Sequence, residues 1–139
     1  MFEEMIQFPT GDMLNYYAEL LIDMKQIDKA ERLLEESIKL TESPMPLINL
    51  SLIMQSKGAK VKAEKYLLQA MEKDRECDAV YLQLGNFMMQ NGDLQRALDY
   101  FSKAEQLCRT INELHHVIST RENAIAQNYA MSVIPNKFS

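Results

Sequence analysis

The chain has few of the residues that interrupt helices or cross-link a fold. Its 139 residues include four glycines, four prolines, two cysteines and no tryptophan. Glycine and proline are the least favourable residues inside a helix, so their scarcity, with 47% hydrophobic residues, is consistent with a single helical domain. Cys77 and Cys108 lack the spacing of a redox pair or a zinc site, and we expect reduced thiols.

Basic clusters and long apolar runs are also missing. The net charge is −5 and lysine and arginine do not cluster, which argues against nucleic acid as the main partner because phosphate binding needs a basic face. No stretch approaches the roughly 18 apolar residues of a membrane span, and residues 1–9 are acidic and lack an apolar signal core. The sequence therefore predicts a chain that is soluble by itself.

Catalytic and metal-binding patterns are equally scarce. His115 and His116 are the only histidines, and neighbours on a helix point about 100° apart, so they cannot form the i, i+4 pair of a helical metal site. No nucleophile with a base and an orienting partner can be assembled, and no glycine loop for a phosphate is present. We predict a protein that is not an enzyme and binds no metal or cofactor.

What the chain does have is a period of 34 residues. Small residues recur at this spacing in three pairs, which are Gly58 and Gly92, Ala63 and Ala97, and Ala70 and Ala104. A 34-residue unit with small residues at fixed positions is the signature of the tetratricopeptide repeat, a helix-turn-helix that buries its apolar face against neighbouring copies. We therefore predict an all-α tetratricopeptide-repeat α-solenoid.

Three repeats and a closing helix account for the chain as one domain, residues 1–139. The repeats are predicted at about 11–43, 44–77 and 78–111, followed by a capping helix at about 112–130 and a tail at 131–139. The capping helix has apolar residues at helical spacing, namely Leu114, Ile118, Ile125 and Tyr129. We expect it to cover the exposed face of the last repeat.

The repeat pattern also predicts which residues hold the helices together. These structural positions are Ala63, Ala70, Gly85, Ala97, Phe101 and Ala104. Gly85 and Ala97 are small because the two helices of one repeat cross closely there. The first repeat matches less well, since Ala30 precedes Ala63 by 33 residues and Ser37 replaces a small alanine.

The first helices of such repeats are expected to line a concave binding groove. The candidate groove residues are Asn15, Tyr16, Glu19, Ile48, Asn49, Leu52, Leu82, Gln83, Asn86 and Met89. The apolar members can bury one face of a peptide, and the amides can hold its main chain. The amides have an alternative role, because an asparagine on a helix face can simply brace the neighbouring helix.

The charge of the predicted groove is uneven. Its early end carries Asp12, Glu19 and Asp23, which favour a basic flank on the ligand because opposite charges steer association. The concave positions contain no lysine or arginine, so no clamp for an acidic peptide tail is expected.

Short runs outside the repeat positions occur in the order seen in one known family. They are residues 15–21 (NYYAELL), 46–49 (PLIN), 76–80 (ECDAV), 97–101 (ALDYF), 109–110 (RT) and 113–114 (EL). From about residue 11 to about 127, the chain resembles the C-terminal repeats and closing helix of the seventy-kilodalton import receptors of the outer mitochondrial membrane translocase. The resemblance implies a receptor on the cytosolic face that captures hydrophobic precursors and passes them to other translocase subunits.

That family also has an N-terminal membrane anchor and repeats that clamp acidic chaperone tails. Neither precedes Met1, so we expect either a fragment of a longer receptor or a reduced protein with only the precursor-binding end. Two other functions stay open. One is a cytosolic or secretion-type chaperone for a dedicated client, and the other is a scaffold that organises subunits, with a partner helix or the chain's own tail in the groove.

Overall fold

Seven α-helices make up the regular structure of the described part of the chain. The structure, a computed structural model, describes residues 10–138, with side chains described up to residue 133, so residues 1–9 and 139 of the predicted domain lie outside the described residues. The helices are α1 (Gly11–Asp23), α2 (Ile27–Leu40), α3 (Met45–Ser56), α4 (Lys60–Lys73), α5 (Asp78–Gln90), α6 (Leu94–Leu107) and α7 (Ile111–Phe138). The predicted all-α tetratricopeptide-repeat fold class is confirmed.

The helices form two compact units that divide after Arg75. In the first unit α1 packs on α2, α3 packs on α4, and α2 also contacts α3. In the second unit α5 packs on α6, and α7 contacts both of them. Each pair from α1 to α6 is one helix-turn-helix, because a short turn folds the second helix back on the first.

Small buried residues allow the paired helices to approach closely. Ala63 and Ala70 of α4 are fully buried in the first unit, as are Ala97 and Ala104 of α6 in the second. Gly85 of α5 faces the ring of Phe101, and a Cβ added to this glycine would lie 2.7 Å from the ring atom Cε1. Any larger residue would therefore have to displace the ring.

The start of α1 is fastened to the end of α2. The Ser37 hydroxyl donates a hydrogen bond of 2.6 Å to the carbonyl oxygen of Gly11, and the Thr41 hydroxyl donates one of 2.9 Å to the Asp12 carboxylate. Ser37 is completely buried, so this bond satisfies a hydroxyl that could not reach water. The serine that departs from the repeat pattern is thus a specific contact between the two helices.

The turns inside the three repeats need a residue with positive φ. Gly58 and Gly92 adopt φ of 78° and 83°, whereas Lys25 occupies the equivalent turn of the first repeat with φ of 65°. A side chain disfavours this left-handed conformation, and glycine does not.

Replacing Lys25 with glycine should therefore raise the free energy of unfolding by up to about 1 kcal/mol, because relief of the left-handed strain exceeds the added flexibility of the unfolded chain. Urea unfolding followed by circular dichroism measures the change. The matched control is Lys29→Gly inside α2, which should instead lower the free energy by about 1 kcal/mol. A destabilising Lys25→Gly would contradict the strain at this turn.

The closing helix differs from its prediction in length and in orientation. α7 extends to Phe138 instead of ending near residue 130, because no glycine or proline occurs between residues 111 and 134. Up to residue 133, where side chains are described, the buried residues of α7 are Val117 and Ala124. Of the predicted packing residues, Ile125 is half-buried, and the other three are exposed, namely Leu114, Ile118 and Tyr129. The helix is rotated by about one residue, or roughly 100°, so that the small Ala124 lies inside.

None of the described helices is both long enough and apolar enough to cross a bilayer. Even α7, with 28 residues, lacks the apolar composition needed, and no other helix between residues 10 and 138 qualifies.

Candidate functional site

The first unit contains an open cavity between α1 and α3, here called the α1–α3 cavity. It has a volume of about 380 Å³ and is lined by Glu19, Ile22, Asp23, Ile27, Asn49, Leu52, Ile53 and Ser56. Three isoleucines and a leucine supply an apolar floor. The carboxylates of Glu19 and Asp23 stand four residues apart on α1, so they lie on the same face of that helix. The cavity therefore offers an apolar surface with an acidic edge.

Hydrogen bonds from two side-chain amides hold the Glu19 carboxylate of this edge in place. The side-chain amide of Asn49 donates to Asn15 Oδ1 at 2.9 Å and to Glu19 Oε1 at 3.2 Å, and the amide of Asn15 donates to the same Glu19 oxygen at 3.1 Å. Asn49 on α3 thus braces α1, which is the alternative role that the sequence left open. The network fixes Glu19 without neutralising it.

The ten predicted groove residues differ widely in exposure. Four are buried, namely Ile48, Asn49, Leu82 and Met89; three are half-buried, namely Asn15, Gln83 and Asn86; and three are exposed, namely Tyr16, Glu19 and Leu52. The α1–α3 cavity brings Glu19, Asn49 and Leu52 together and leaves out Ile48 and Tyr16. A buried Ile48 supports the core and offers little surface to a ligand.

Sequence reasoning missed two apolar residues of this cavity. Ile27 is the first residue of α2, and Ile53 lies in α3 one position after Leu52. The repeat frame assigned ligand contacts only to the inner-face positions of each first helix. These positions include Ile22 but exclude both Ile27, which lies on a second helix, and Ile53. The signal for Ile27 was its position directly after the turn at Lys25, where the second helix starts beside the end of the first.

The second unit contains a smaller cavity between α5 and α7, here called the α5–α7 cavity. Its volume is about 310 Å³, and its lining residues are Asn86, Met89, Gln90, Gly92, Ala124, Gln127, Asn128 and Met131. Two predicted groove residues, Asn86 and Met89, therefore face the second half of α7. The closing helix forms a wall over this part of α5.

A cluster with possible metal-ligand atoms lies where α5 and α7 begin. The nearest ligand atoms of Asp78, Cys108 and Glu113 are within 4.8 Å of one another. Burial, followed by the charges of Asp78 and Glu113, raises the pKa of the Cys108 thiol, which donates a hydrogen bond to the carbonyl of Ala104 at 3.2 Å. A thiol that stays protonated is a poor metal ligand, because thiolate is the form that binds metals.

Comparison with known proteins agrees with the repeat architecture. A family model described as tetratricopeptide repeat matches residues 79–110, within the predicted third repeat. The tetratricopeptide-repeat domain of Sgt2 from Aspergillus fumigatus superposes with a TM-score of 0.65 at 17% identity, and the match covers 86% of this chain and 82% of that domain. At this identity the similarity concerns the fold.

The import receptor suggested by the sequence runs is also found by these comparisons. The mitochondrial import receptor subunit TOM70 of Rattus norvegicus is 31% identical over 130 residues, which is 91% of this chain and 21% of the receptor. The crystal structure of yeast Tom70 has a TM-score of 0.72 at 22% identity, covering 89% of this chain and 28% of that structure. The chain thus spans about a fifth of the length of its curated relatives. It has the tetratricopeptide-repeat fold and is similar in sequence to part of the import receptor TOM70.

Proposed function

We propose that the chain captures apolar segments of mitochondrial precursor proteins in the α1–α3 cavity. The observation that carries the proposal is the apolar floor formed by Leu52 and its isoleucine neighbours beside the acidic edge of Glu19 and Asp23. An amphipathic helix binds such a surface by laying its apolar face into the groove. Its polar face then decides which helices are accepted.

The acidic edge favours ligands with basic residues. Mitochondrial targeting segments are amphipathic, rich in arginine and poor in acidic residues. Glu19 is held by Asn15 and Asn49, so the ligand meets a carboxylate already in place, and less side-chain entropy is lost on binding. A basic flank would be attracted to this edge, and an acidic flank would be repelled.

Similarity to TOM70 supports the cellular setting of the proposal. The relatives are mitochondrial import receptor subunits by name, and the match covers 91% of this chain. In this proposal the chain acts on the cytosolic face of the mitochondrial outer membrane, where it takes up precursor segments and delivers them to the translocase. The contact with a client is transient, because the client segment must become ordered when it binds.

Replacing Leu52 with aspartate tests this function directly. Leu52 is 42% exposed in the cavity floor, so the new charge should weaken binding of a labelled amphipathic precursor segment about tenfold without disturbing the core. Fluorescence anisotropy of the purified chain gives the dissociation constants. Leu94→Asp is the matched control, since Leu94 is 43% exposed, belongs to the other unit and does not line the cavity.

The choice of peptides separates the possible functions. A version of the segment with its basic residues changed to acidic ones should bind more weakly than the original. Equal binding of unrelated apolar helices would favour a general chaperone, and failure to bind any precursor segment would rule out the receptor function. An unchanged affinity in Leu52→Asp would rule out the α1–α3 cavity as the binding surface.

A further inference from the structure

We propose that the α5–α7 cavity is a second peptide-binding site, which holds the main chain of an uncharged, extended polypeptide segment. This inference rests on the proposed function, because it treats the chain as a receptor for unfolded polypeptides. It assigns a different ligand conformation and a different chemistry to the second unit.

The lining of the cavity is neutral and rich in amides. Four of its eight lining residues carry a side-chain carboxamide, which are Asn86, Gln90, Gln127 and Asn128, and none of the eight carries a charge. A carboxamide offers two N–H donors and one acceptor oxygen. These are the groups that a peptide main chain needs, because each of its units presents one donor and one acceptor.

The four carboxamides are also available to a ligand. Among residues 10–133, where side chains are described, none of them has a hydrogen-bond partner in the protein. The amides of the first unit differ in this respect, since Asn49 bonds both Asn15 and Glu19. The amides near α3 are occupied in bracing a helix, and those around the α5–α7 cavity remain open to solvent or ligand.

Two helices present a similar pattern to the cavity from opposite sides. The α5 residues Asn86, Met89 and Gln90 follow i, i+3, i+4 spacing, and the α7 residues Ala124, Gln127, Asn128 and Met131 follow i, i+3, i+4, i+7 spacing. Each set therefore occupies one face of its helix. A cleft between two such faces can contact both edges of an extended chain.

The apolar part of the lining fits a side chain of the bound segment. Met89 is buried and Met131 is exposed, and the small Ala124 lines the same cavity. Unbranched methionines adapt to differently shaped partners, so the cavity can accept one apolar side chain without selecting a single type. Binding then depends on the main chain, so the cavity selects an extended conformation and not a particular side-chain sequence.

A helical or charged ligand fits this cavity poorly. A helix satisfies its own main-chain groups and is about 10–12 Å wide with side chains, so it would neither use the carboxamides nor enter a small cleft. The volume of about 310 Å³ lies at the lower end of ligand pockets, which is adequate for a few extended residues. A charged group would lose water here without meeting a counter-charge.

The test uses the full chain and a pair of peptides that differ only in their amides. The first probe is an N-acetylated, C-amidated pentapeptide of serine, valine and leucine, and the second is the same peptide with its central amides N-methylated. Titrations are followed by NMR through the side-chain NH₂ signals of Asn86 and Gln127. The unmodified peptide should bind and shift these signals, whereas N-methylation should weaken binding at least about fivefold by removing donors.

Two near-isosteric variants test the carboxamides themselves. Gln127→Met and Asn86→Leu should each weaken binding of the unmodified peptide about fivefold. The exposed Gln106 lies on α6 outside the cavity, so Gln106→Met is the matched control and should leave the affinity unchanged. Equal binding of the N-methylated peptide, or an unchanged affinity in Gln127→Met, would overturn the proposal.

Two further measurements, the salt dependence of binding and the effect of Leu52→Asp, distinguish binding at this site from binding in the α1–α3 cavity. Because the lining is uncharged, raising ionic strength from about 0.1 M to about 0.5 M should leave pentapeptide binding unchanged, while it weakens binding of a basic precursor helix at the acidic edge. Leu52→Asp should affect the helix alone. If only the pentapeptide failed to bind, the second site would be ruled out. If only the precursor helix failed to bind, the proposed import function would be ruled out.

Discussion

Replacing Phe101 with alanine should lower the free energy of unfolding by about 3–5 kcal/mol. The side chain is 0% exposed, and its ring lies against Gly85 on the neighbouring helix α5. Truncation removes many apolar contacts and leaves a cavity that the two helices cannot close without shifting along their whole interface. The change is therefore expected to exceed that of any surface substitution in this chain.

Urea unfolding followed by circular dichroism measures this loss. Tyr129→Ala is the control, since this aromatic side chain is 68% exposed and its removal should change the free energy by less than about 0.5 kcal/mol. Gly85→Ala should destabilise the native chain but be tolerated when Phe101 is already alanine, because its Cβ would then occupy vacated space. Additive effects of the two substitutions would contradict the close contact.

Close helix crossings of this kind explain why the repeat could be predicted from the sequence. Helices that cross closely require a small residue at the crossing, so the second and third repeats have Ala63 and Ala97 at the same position, 34 residues apart. The turn after the first helix requires positive φ, which Gly58 and Gly92 supply. Both requirements apply within one helix pair. Because the helix pair is repeated, the same residue types recur at the period of the repeat.

The exposure of the predicted groove residues could not be predicted from the repeat pattern. The repeat frame assigns Met89 to a face of α5, and the closing helix is predicted to cover the last repeat, but the pattern does not say which residues of α5 that helix reaches. In the structure α7 lies there, with Ala124 on the same cavity. Its rotation depends on competition between two apolar stripes one residue apart, and the stripe with the small Ala124 lies inside while Ile118 remains exposed.

The role of each amide was likewise beyond the sequence. Asn49 and Asn86 both occupy inner-face positions of a first helix, yet Asn49 bonds Asn15 and Glu19, and Asn86 borders the α5–α7 cavity. The difference arises from the surroundings of each amide, because the Glu19 carboxylate of α1 lies near Asn49, whereas Asn86 shares its cavity with Met89 and Met131. Identical residue types at similar positions can therefore brace a helix or remain free for a ligand.

Replacing Gly11 with alanine should lower the free energy of unfolding by about 1–3 kcal/mol. A Cβ at this first residue of α1 would lie 2.6 Å from the Cβ of Thr41 and 2.8 Å from the carbonyl carbon of Leu40, at the end of α2. The helix cannot move away freely, because the carbonyl of Gly11 accepts the buried hydrogen bond from Ser37. Urea unfolding compares the variant with the parent chain.

The sign of this change is what distinguishes packing from helix propensity. Alanine is about 0.5–1 kcal/mol more favourable than glycine within a helix, so propensity alone predicts that Gly11→Ala stabilises the chain. A clash with main-chain atoms predicts the opposite.

Asn112→Ala, at an exposed first-turn position of α7, is the control and should change the free energy of unfolding little. Ser37→Ala should lower the free energy of unfolding by about 1 kcal/mol in the parent chain and by less in the Gly11→Ala variant. In that variant the displaced Gly11 carbonyl would accept only a weak hydrogen bond from the Ser37 hydroxyl. A stabilising Gly11→Ala would mean that α1 does not rest on the end of α2.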